Sequence, residues 1–260
     1  MKLEAKSITV IAGETKIVSD AALQIGEGEF VGLIGPNGAG KSTLLRAMVG
    51  VRPRNAGEVM LDGRPFESFT PRERARRIAF LPQERRVEWR LPVRDVVMLG
   101  RYPHHAGFGG PTTADRVAVE QAIAAVDVTG LEDRPAAVLS AGEKARVLLA
   151  RALAVEAPIL IADEPIAALD PYHQLHVMEI LRDQARAGRA VLVVLHDLML
   201  ASRFMDRLAL MSDGKIVAEG TPADVLSDSR LRDVYRVDAI RGVEAGAAWL
   251  SPWSRASERA

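Results

Sequence analysis

The chain has 260 residues, 48% of them apolar and 5% aromatic, enough for a sizeable core in one large domain or two small ones. Lys+Arg and Asp+Glu both number 34, so a formal net charge of zero gives no global attraction to nucleic acid or anionic lipid. The absence of cysteine excludes disulfides and thiol chemistry, the start M-K-L-E-A-K-S lacks the apolar stretch of a signal peptide, and runs such as Ala190 to Leu195 fall far short of the ~20 residues a membrane helix needs. The cytoplasm is the expected compartment, and any membrane role has to come through a partner.

In chain order, Ser7 to Ile11 and Ala21 to Ile25 are β-type runs around the turn signal Ala12-Gly13-Glu14, and Phe30 to Ile34 reads as a buried strand. It leads into Gly35-Pro36-Asn37-Gly38-Ala39-Gly40-Lys41-Ser42-Thr43, which fits the phosphate-loop pattern at Gly35, Gly40, Lys41 and Ser42; Ser42 to Gly50 then reads as a helix. Glycines 35, 38 and 40 let the backbone take φ > 0, so successive N–H groups form a nest at a helix N-terminus, where the dipole favours an anion. Lys41 adds a charge worth ~4 kcal/mol per phosphate at ~4 Å and an effective dielectric of about 20, and Ser42 offers a hydroxyl to Mg²⁺. The strand-before, helix-after context favours a nucleoside triphosphate site over an ordinary Gly-rich turn.

Glu58 to Leu61 ahead of Asp62-Gly63 is a further hairpin strand, which suggests a small antiparallel sheet beside the loop. Thr70-Pro71-Arg72-Glu73 has the spacing of a capping box, and arginines 72, 74, 76 and 77 on the helix it opens read as a solvated face. Ile78 to Leu81 is a strand leading to Pro82-Gln83, and helical periodicity follows to about Ala157. His104 and His105 read as part of an exposed loop from Arg101 to Thr113, since no further ligand stands at a spacing that completes a metal site.

Pro158 to Ala162 is a buried parallel strand by its lack of alternation, and it delivers Asp163-Glu164 at its carboxyl end. Pro171 opens a helix with Leu175, Met178, Leu181 and Ala185 on one face, stopped by Gly188; Val191 to Leu195 then delivers His196-Asp197. Polar groups at the carboxyl ends of alternating strands describe an open α/β sheet with its ligand on that edge, so the carboxylates, His196 and the phosphate loop are expected to converge.

Over about Leu3 to Leu226 these residues resemble the ATP-binding cassette (ABC) family. Phe80-Leu81-Pro82-Gln83 is similar to its glutamine loop, and Leu139-Ser140-Ala141-Gly142-Glu143 to its signature, which P-loop kinases and small GTPases lack. The resemblance implies a single P-loop NTPase domain over 1–260: an α/β fold with a mostly parallel central sheet, an antiparallel β subdomain, a helical subdomain at about 84–157 and a tail at about 237–260. It implies ATP and Mg²⁺ as ligands, with residues 35–43 on the phosphates, Ser42, Gln83 and Asp163 at the metal, Glu164 polarising the attacking water, and His196 contacting the γ-phosphate. It further implies that Ala168-Leu169-Asp170 crosses a dimer interface and that Ser140, Ala141 and Gly142 serve ATP on a second copy, in a head-to-tail homodimer. Ala141 stands where the family usually has Gly, and no aromatic lies between Leu3 and Gln24 to stack on adenine, a place taken here by Ala12 or Ile11.

Leu99 to His104, Ala114-Asp115-Arg116, Val119 to Ile123 and Gly220 to Leu226 resemble cassettes of iron-chelate, haem and cobalamin importers. That implies an ATPase held peripherally on the cytoplasmic face of the inner membrane by a permease dimer, with Gln83 to Arg101 facing the permease and a periplasmic or surface binding protein acting indirectly. The alternative is a soluble cassette acting on nucleic acid or ribosomes; zero net charge and a single cassette weigh against it. Val237 to Leu250 is expected to form a last hairpin around Ala245-Gly246, and Ser254 to Ala260 a frayed end.

Overall fold

The computed structural model describes residues 1–83, 90–105, 109–244 and 246–256. Two long strands open the chain, β1 (Leu3–Ala12) and β2 (Thr15–Ile25), joined at Gly13 with φ 59. Next come β3 (Phe30–Ile34), α1 (Lys41–Met48), β4 (Ala56–Leu61), β5 (Arg64–Pro65), α2 (Pro71–Arg77) and β6 (Ile78–Leu81). A helical stretch, α3 (Val93–Met98), α4 (Thr113–Ala125) and α5 (Ala141–Leu153), precedes β7 (Ile159–Asp163), α6 (Pro171–Arg186), β8 (Ala190–Val194) and α7 (Leu198–Phe204). The chain finishes with β9 (Arg207–Ser212), β10 (Lys215–Gly220), α8 (Pro222–Val225), α9 (Asp228–Arg230), one π turn over Leu231–Tyr235, and the hairpin β11 (Val237–Glu244) and β12 (Ala247–Arg255).

A strand whose apolar run does not alternate has to be covered on both faces, and β3, β8 and Ile159 to Ala162 of β7 are. They lie in a six-stranded sheet ordered β10-β9-β3-β8-β7-β6, parallel except for the β9–β10 edge. Alternate residues feed two cores. Phe30, Leu160, Val191, Val193 and Leu208 join α3 to α7 on one face; Val31, Leu33, Ile161, Leu192 and Ala209 join α1 and the antiparallel sheet β2-β1-β4-β5 on the other. This is the α/β fold of a P-loop NTPase, with its parallel strands ending on one edge.

Several local expectations are corrected by contacts made far along the chain. The arginines of α2 do lie at the surface, Arg72 and Arg76 exposed, but they are not free of the rest of the chain: Arg72 and Arg76 donate to the Pro103 carbonyl and on to those of His105 and His104, while Arg74 and Arg77 lie over the Phe66 and Phe69 rings. Nor is Arg101 to His105 a plain loop. It begins inside the 3-10 turn Leu99–His104, where His104 Nε2 lies 2.8 Å from the Val155 carbonyl and His105 Nε2 lies 3.2 Å from Asp115 Oδ2. The final hairpin runs on to Arg255, which pairs with Val237, so Ser254 and Arg255 belong to a strand; Ala245 and residues 257–260 of the expected turn and tail lie outside the described residues.

Arg101, buried like Asp115, sends Nε to the Asp115 carboxylate at 2.9 Å and Nη1 to Glu156 at 2.6 Å and to the Ala154 carbonyl at 2.7 Å. The guanidinium first, then the Thr112 hydroxyl, holds the Asp115 carboxyl well below the usual carboxylate range. Arg101→Ala is expected to cost ~3 kcal/mol, the low end for stranding a buried charge because Glu156 keeps the pair near solvent. A depressed folded-state pKa contributes stability that is complete above the unfolded value and is lost as pH falls through the folded one. Urea unfolding should therefore show the full penalty at about pH 5 and a shrinking one below about pH 4.

Candidate functional site

The phosphate loop takes its shape from glycines in backbone conformations that other residues rarely adopt. Gly35, Gly38 and Gly40 have φ of 150°, 81° and 101°. A Cβ at Gly35 would lie 2.1 Å from the Met211 carbonyl oxygen, and one at Gly40 would lie 2.6 Å from that of Ile17. The loop is also tied from outside, since Gly214 N–H donates to the Ala39 carbonyl at 3.1 Å. Lys41 opens α1 with its side chain buried, Nζ donating to the Gly35 carbonyl at 2.8 Å and the Pro36 carbonyl at 2.9 Å. Burial pulls its pKa down and the Glu164 and Asp163 carboxylates oppose the shift; an ammonium has three donors, so one stays available to a phosphate.

The carboxyl ends of β7 and β8 face this loop. Asp163, 1% exposed, accepts from the Ser42 hydroxyl at 2.9 Å through Oδ1, while Oδ2 is buried with no hydrogen-bond partner among the described residues. Burial raises its carboxyl above the usual value, Ser42 opposing. Glu164, in the left-handed region at φ 53, brings Oε1 to 2.5 Å from His196 Nε2. An open cavity of about 640 Å³ is lined by Asn37, Gly38, Gly40, Lys41, Ser42 and Thr43 on one side and by Gln83, Glu164 and His196 on the other. Gly35, Pro36 and Ala39 shape the loop from behind. Ile17 of β2 also lines the cavity, and the sequence reading missed it. Its one local signal is an apolar side chain following two exposed residues, Thr15 and Lys16.

Ser140, Ala141, Gly142 and Asp170 do not line that cavity. Ser140 caps α5 in a full capping box, its oxygen accepting from Glu143 N–H at 3.2 Å, so the helix begins at Ala141. Gly142 sits in that first turn beside Leu169 and the Ala168 carbonyl, and Ala168 has φ 64. Asp170 caps α6 and lies 2.6 Å from His173 Nδ1. The 140–142 and 168–170 groups therefore meet each other at a second place on the surface.

The family profile described as ABC transporter matches residues 18–167, from within β2 to just past Glu164. The chain belongs to the ABC transporter family. Among curated relatives, this cassette is 45% identical over 252 residues to the hemin import ATP-binding protein of Thermobifida fusca, covering 96% of this chain and 88% of the relative. It is 40% identical over 255 residues to the cobalamin import ATP-binding protein of Halobacterium salinarum, covering 97% of this chain and 64% of the relative. The cassette thus spans less than two thirds of that relative's length. Among solved structures it superposes with a TM-score of 0.77 and 25% identity on an ATP-binding subunit of an ABC transporter, over 86% of this chain and 92% of that one. A dimeric ATP-binding cassette in a post-hydrolysis state with ADP and phosphate bound gives a TM-score of 0.76 at 28% identity, over 85% and 98%. Among the described residues no helix is long and apolar enough to cross a membrane.

Proposed function

We propose that this cassette is the ATP-hydrolysing subunit of an importer for an iron chelate, haem or cobalamin, working as a head-to-tail homodimer under a separate membrane permease on the cytoplasmic face. The observation that carries the ATPase reading is one cavity that gathers Lys41, Ser42, Gln83, Glu164 and His196. The cargo class rests on the hemin and cobalamin importers among its relatives, which also stand against the nucleic-acid alternative. Of the proposed permease-facing segment, 84–89 lie outside the described residues, and 90–101 include α3 and the exposed Leu91 and Leu99.

Asp163 Oδ2, buried beside the Ser42 hydroxyl and without a hydrogen-bond partner among the described residues, is the kind of oxygen that suits a divalent cation. Ser42, Asp163 and Gln83 would hold Mg²⁺, which when bound neutralises phosphate charge. In this reading the loop N–H groups and Lys41 bind and orient the phosphates. Glu164 orients water and takes its proton on the carboxylate, whose Oε1 lies 2.5 Å from His196 Nε2, and His196 turns to the γ-phosphate when nucleotide is bound. Deleting the gene should abolish growth when the imported chelate is the sole iron or cobalamin source, and Lys41→Ala should fail to restore it; unchanged uptake of haem, ferric siderophore and cobalamin alike would refute the import reading.

No aromatic ring lies on the hairpin beside the cavity, so Ile17 supplies the apolar contact for the base. Weak discrimination between ATP and GTP is expected, because the loop grips phosphates common to both. Ala12→Tyr should tighten ATP binding at least about fivefold, since a stacked ring is worth ~1–3 kcal/mol, with Ile11→Tyr as the alternative one residue away. Nucleotide titrations check this, and strong native preference for ATP with no gain from either tyrosine would contradict it.

A further inference from the structure

Hairpin turns stand in solvent as a rule. This chain has two with the same residues and the same backbone: Asp62-Gly63 joins β4 to β5 with φ 50 and 72, and Asp213-Gly214 joins β9 to β10 with φ 47 and 78. Asp-Gly is the pair such turns favour, because both central residues take φ > 0. Their surroundings differ. Gly63 is exposed, and a Cβ there would meet nothing within 4 Å. Gly214 is buried, and a Cβ there would lie 2.8 Å from the Ile17 carbonyl oxygen and 3.4 Å from Val18 Cα.

What buries Gly214 is the two walls of the nucleotide cavity. Its N–H donates to the Ala39 carbonyl of the phosphate loop at 3.1 Å, and its own carbonyl accepts from the Ser19 N–H of β2 at 2.8 Å. β2 also carries Ile17, which lines the cavity opposite the loop's own residues. One turn residue thus ties the phosphate wall to the strand that supplies the apolar contact for the base. The bond to Ala39 has a directional consequence. A trans peptide is planar, with its C=O and N–H pointing opposite ways, and the chain has no cis peptide. Anchoring the Ala39 carbonyl on the turn therefore aims the N–H of the same peptide, which is that of Gly40, away from the turn. Gly40 lines the cavity, and its N–H has no hydrogen-bond partner among the described residues. It is a donor kept open for an anion.

We propose that Gly214 is a positioning residue for phosphate binding: by holding the Ala39 carbonyl it fixes the Ala39–Gly40 peptide so that the Gly40 N–H points at the bound phosphate. The proposal rests on the nucleotide reading of that loop. Comparing Gly214→Ala with Gly63→Ala separates positioning from backbone strain. Both put a methyl group on a turn residue in the left-handed region, and only the first drives the turn against the Ile17 carbonyl and shifts its N–H from Ala39. At a temperature where circular dichroism shows both variants folded, MgATP should bind Gly214→Ala about 10- to 100-fold more weakly than wild type, the ratio that a hydrogen bond to a charged group sets. Gly63→Ala should bind within about twofold of wild type, because its methyl group meets open space. In Gly214→Ala kcat at saturating nucleotide should stay within about threefold, since a donor that holds phosphate alike before and during cleavage changes affinity only. Wild-type affinity in Gly214→Ala, an equal loss in both variants, or a fall in kcat with KM unchanged overturns the proposal. Should Gly214→Ala not fold, amide exchange in the wild type decides. Exchange at Gly214 at least about tenfold slower than at Gly63, with exchange at Gly40 slowed at least about threefold by ATP, supports the tie; Gly214 exchanging like Gly63, or Gly40 indifferent to bound ATP, overturns it. Wild type that binds no ATP would sink the nucleotide reading itself, an outcome distinct from wild type and Gly214→Ala binding equally well.

Discussion

Glu164→Gln is expected to lower ATP turnover at least ~100-fold while nucleotide stays bound, because a positioned general base contributes ~10²- to 10⁴-fold. The substitution is nearly isosteric. It retains the chain length that brings Oε1 to 2.5 Å from His196 Nε2 and makes no new demand on a backbone already at φ 53, so what it removes is basicity. Binding depends on other groups, the loop N–H donors and the Lys41 ammonium, which glutamine leaves untouched. Bound ATP that cannot be cleaved should accumulate with the protein as a dimer. Steady-state phosphate release, with nucleotide binding measured on the same sample, checks both halves; turnover near that of the wild type would remove Glu164 from the role of base.

The second large effect concerns the signature turn. Ser140→Asp should abolish that ATP-dependent dimer while leaving the monomer's stability unchanged. Aspartate caps a helix about as well as serine, so α5 should keep its start and its pairing with Glu143. Ser140→Arg would be a poorer probe, because losing the cap alone costs ~1 kcal/mol. If the exposed N-terminus of α5 serves a phosphate carried by a second copy, the added carboxylate meets like charge there. At ~4 Å and an effective dielectric of about 20 that repulsion is ~4 kcal/mol, roughly 10³-fold in affinity. Size-exclusion chromatography with ATP in the Glu164→Gln background reads it directly, and a Ser140→Asp dimer as tight as the parent's would argue against a head-to-tail arrangement.

The parts of this account that were legible in the sequence are those written locally. The Gly35 to Thr43 loop follows from residue types at fixed spacing, and the unalternating runs of β3, β7 and β8 show burial on both faces before any partner is known. The same runs place Asp163, Glu164 and His196 on one sheet edge. What the sequence hid depends on contacts between distant segments. Arg72 and Arg76 are solvent-facing, yet nothing local shows that both also donate to the Pro103 carbonyl, about thirty residues on. Arg101 and Asp115 look like ordinary surface residues until Glu156 and Ala154 close around the guanidinium. Ile17 carries no motif, and it reaches the cavity only because β2 folds back against the loop.

The central claim is that a single chain holds an incomplete catalytic site, with Lys41, Glu164 and His196 in one cavity and Ser140 and Gly142 at another place on its surface. The direct test is the rate of MgATP hydrolysis by the purified wild-type chain across a wide range of protein concentration at saturating nucleotide. The account predicts that turnover per chain rises with concentration, from second-order behaviour at low concentration to a plateau once dimers form, and that Lys41→Ala shows none of it. Turnover per chain that is constant down to the lowest concentration measured would mean that one copy suffices, and would contradict it.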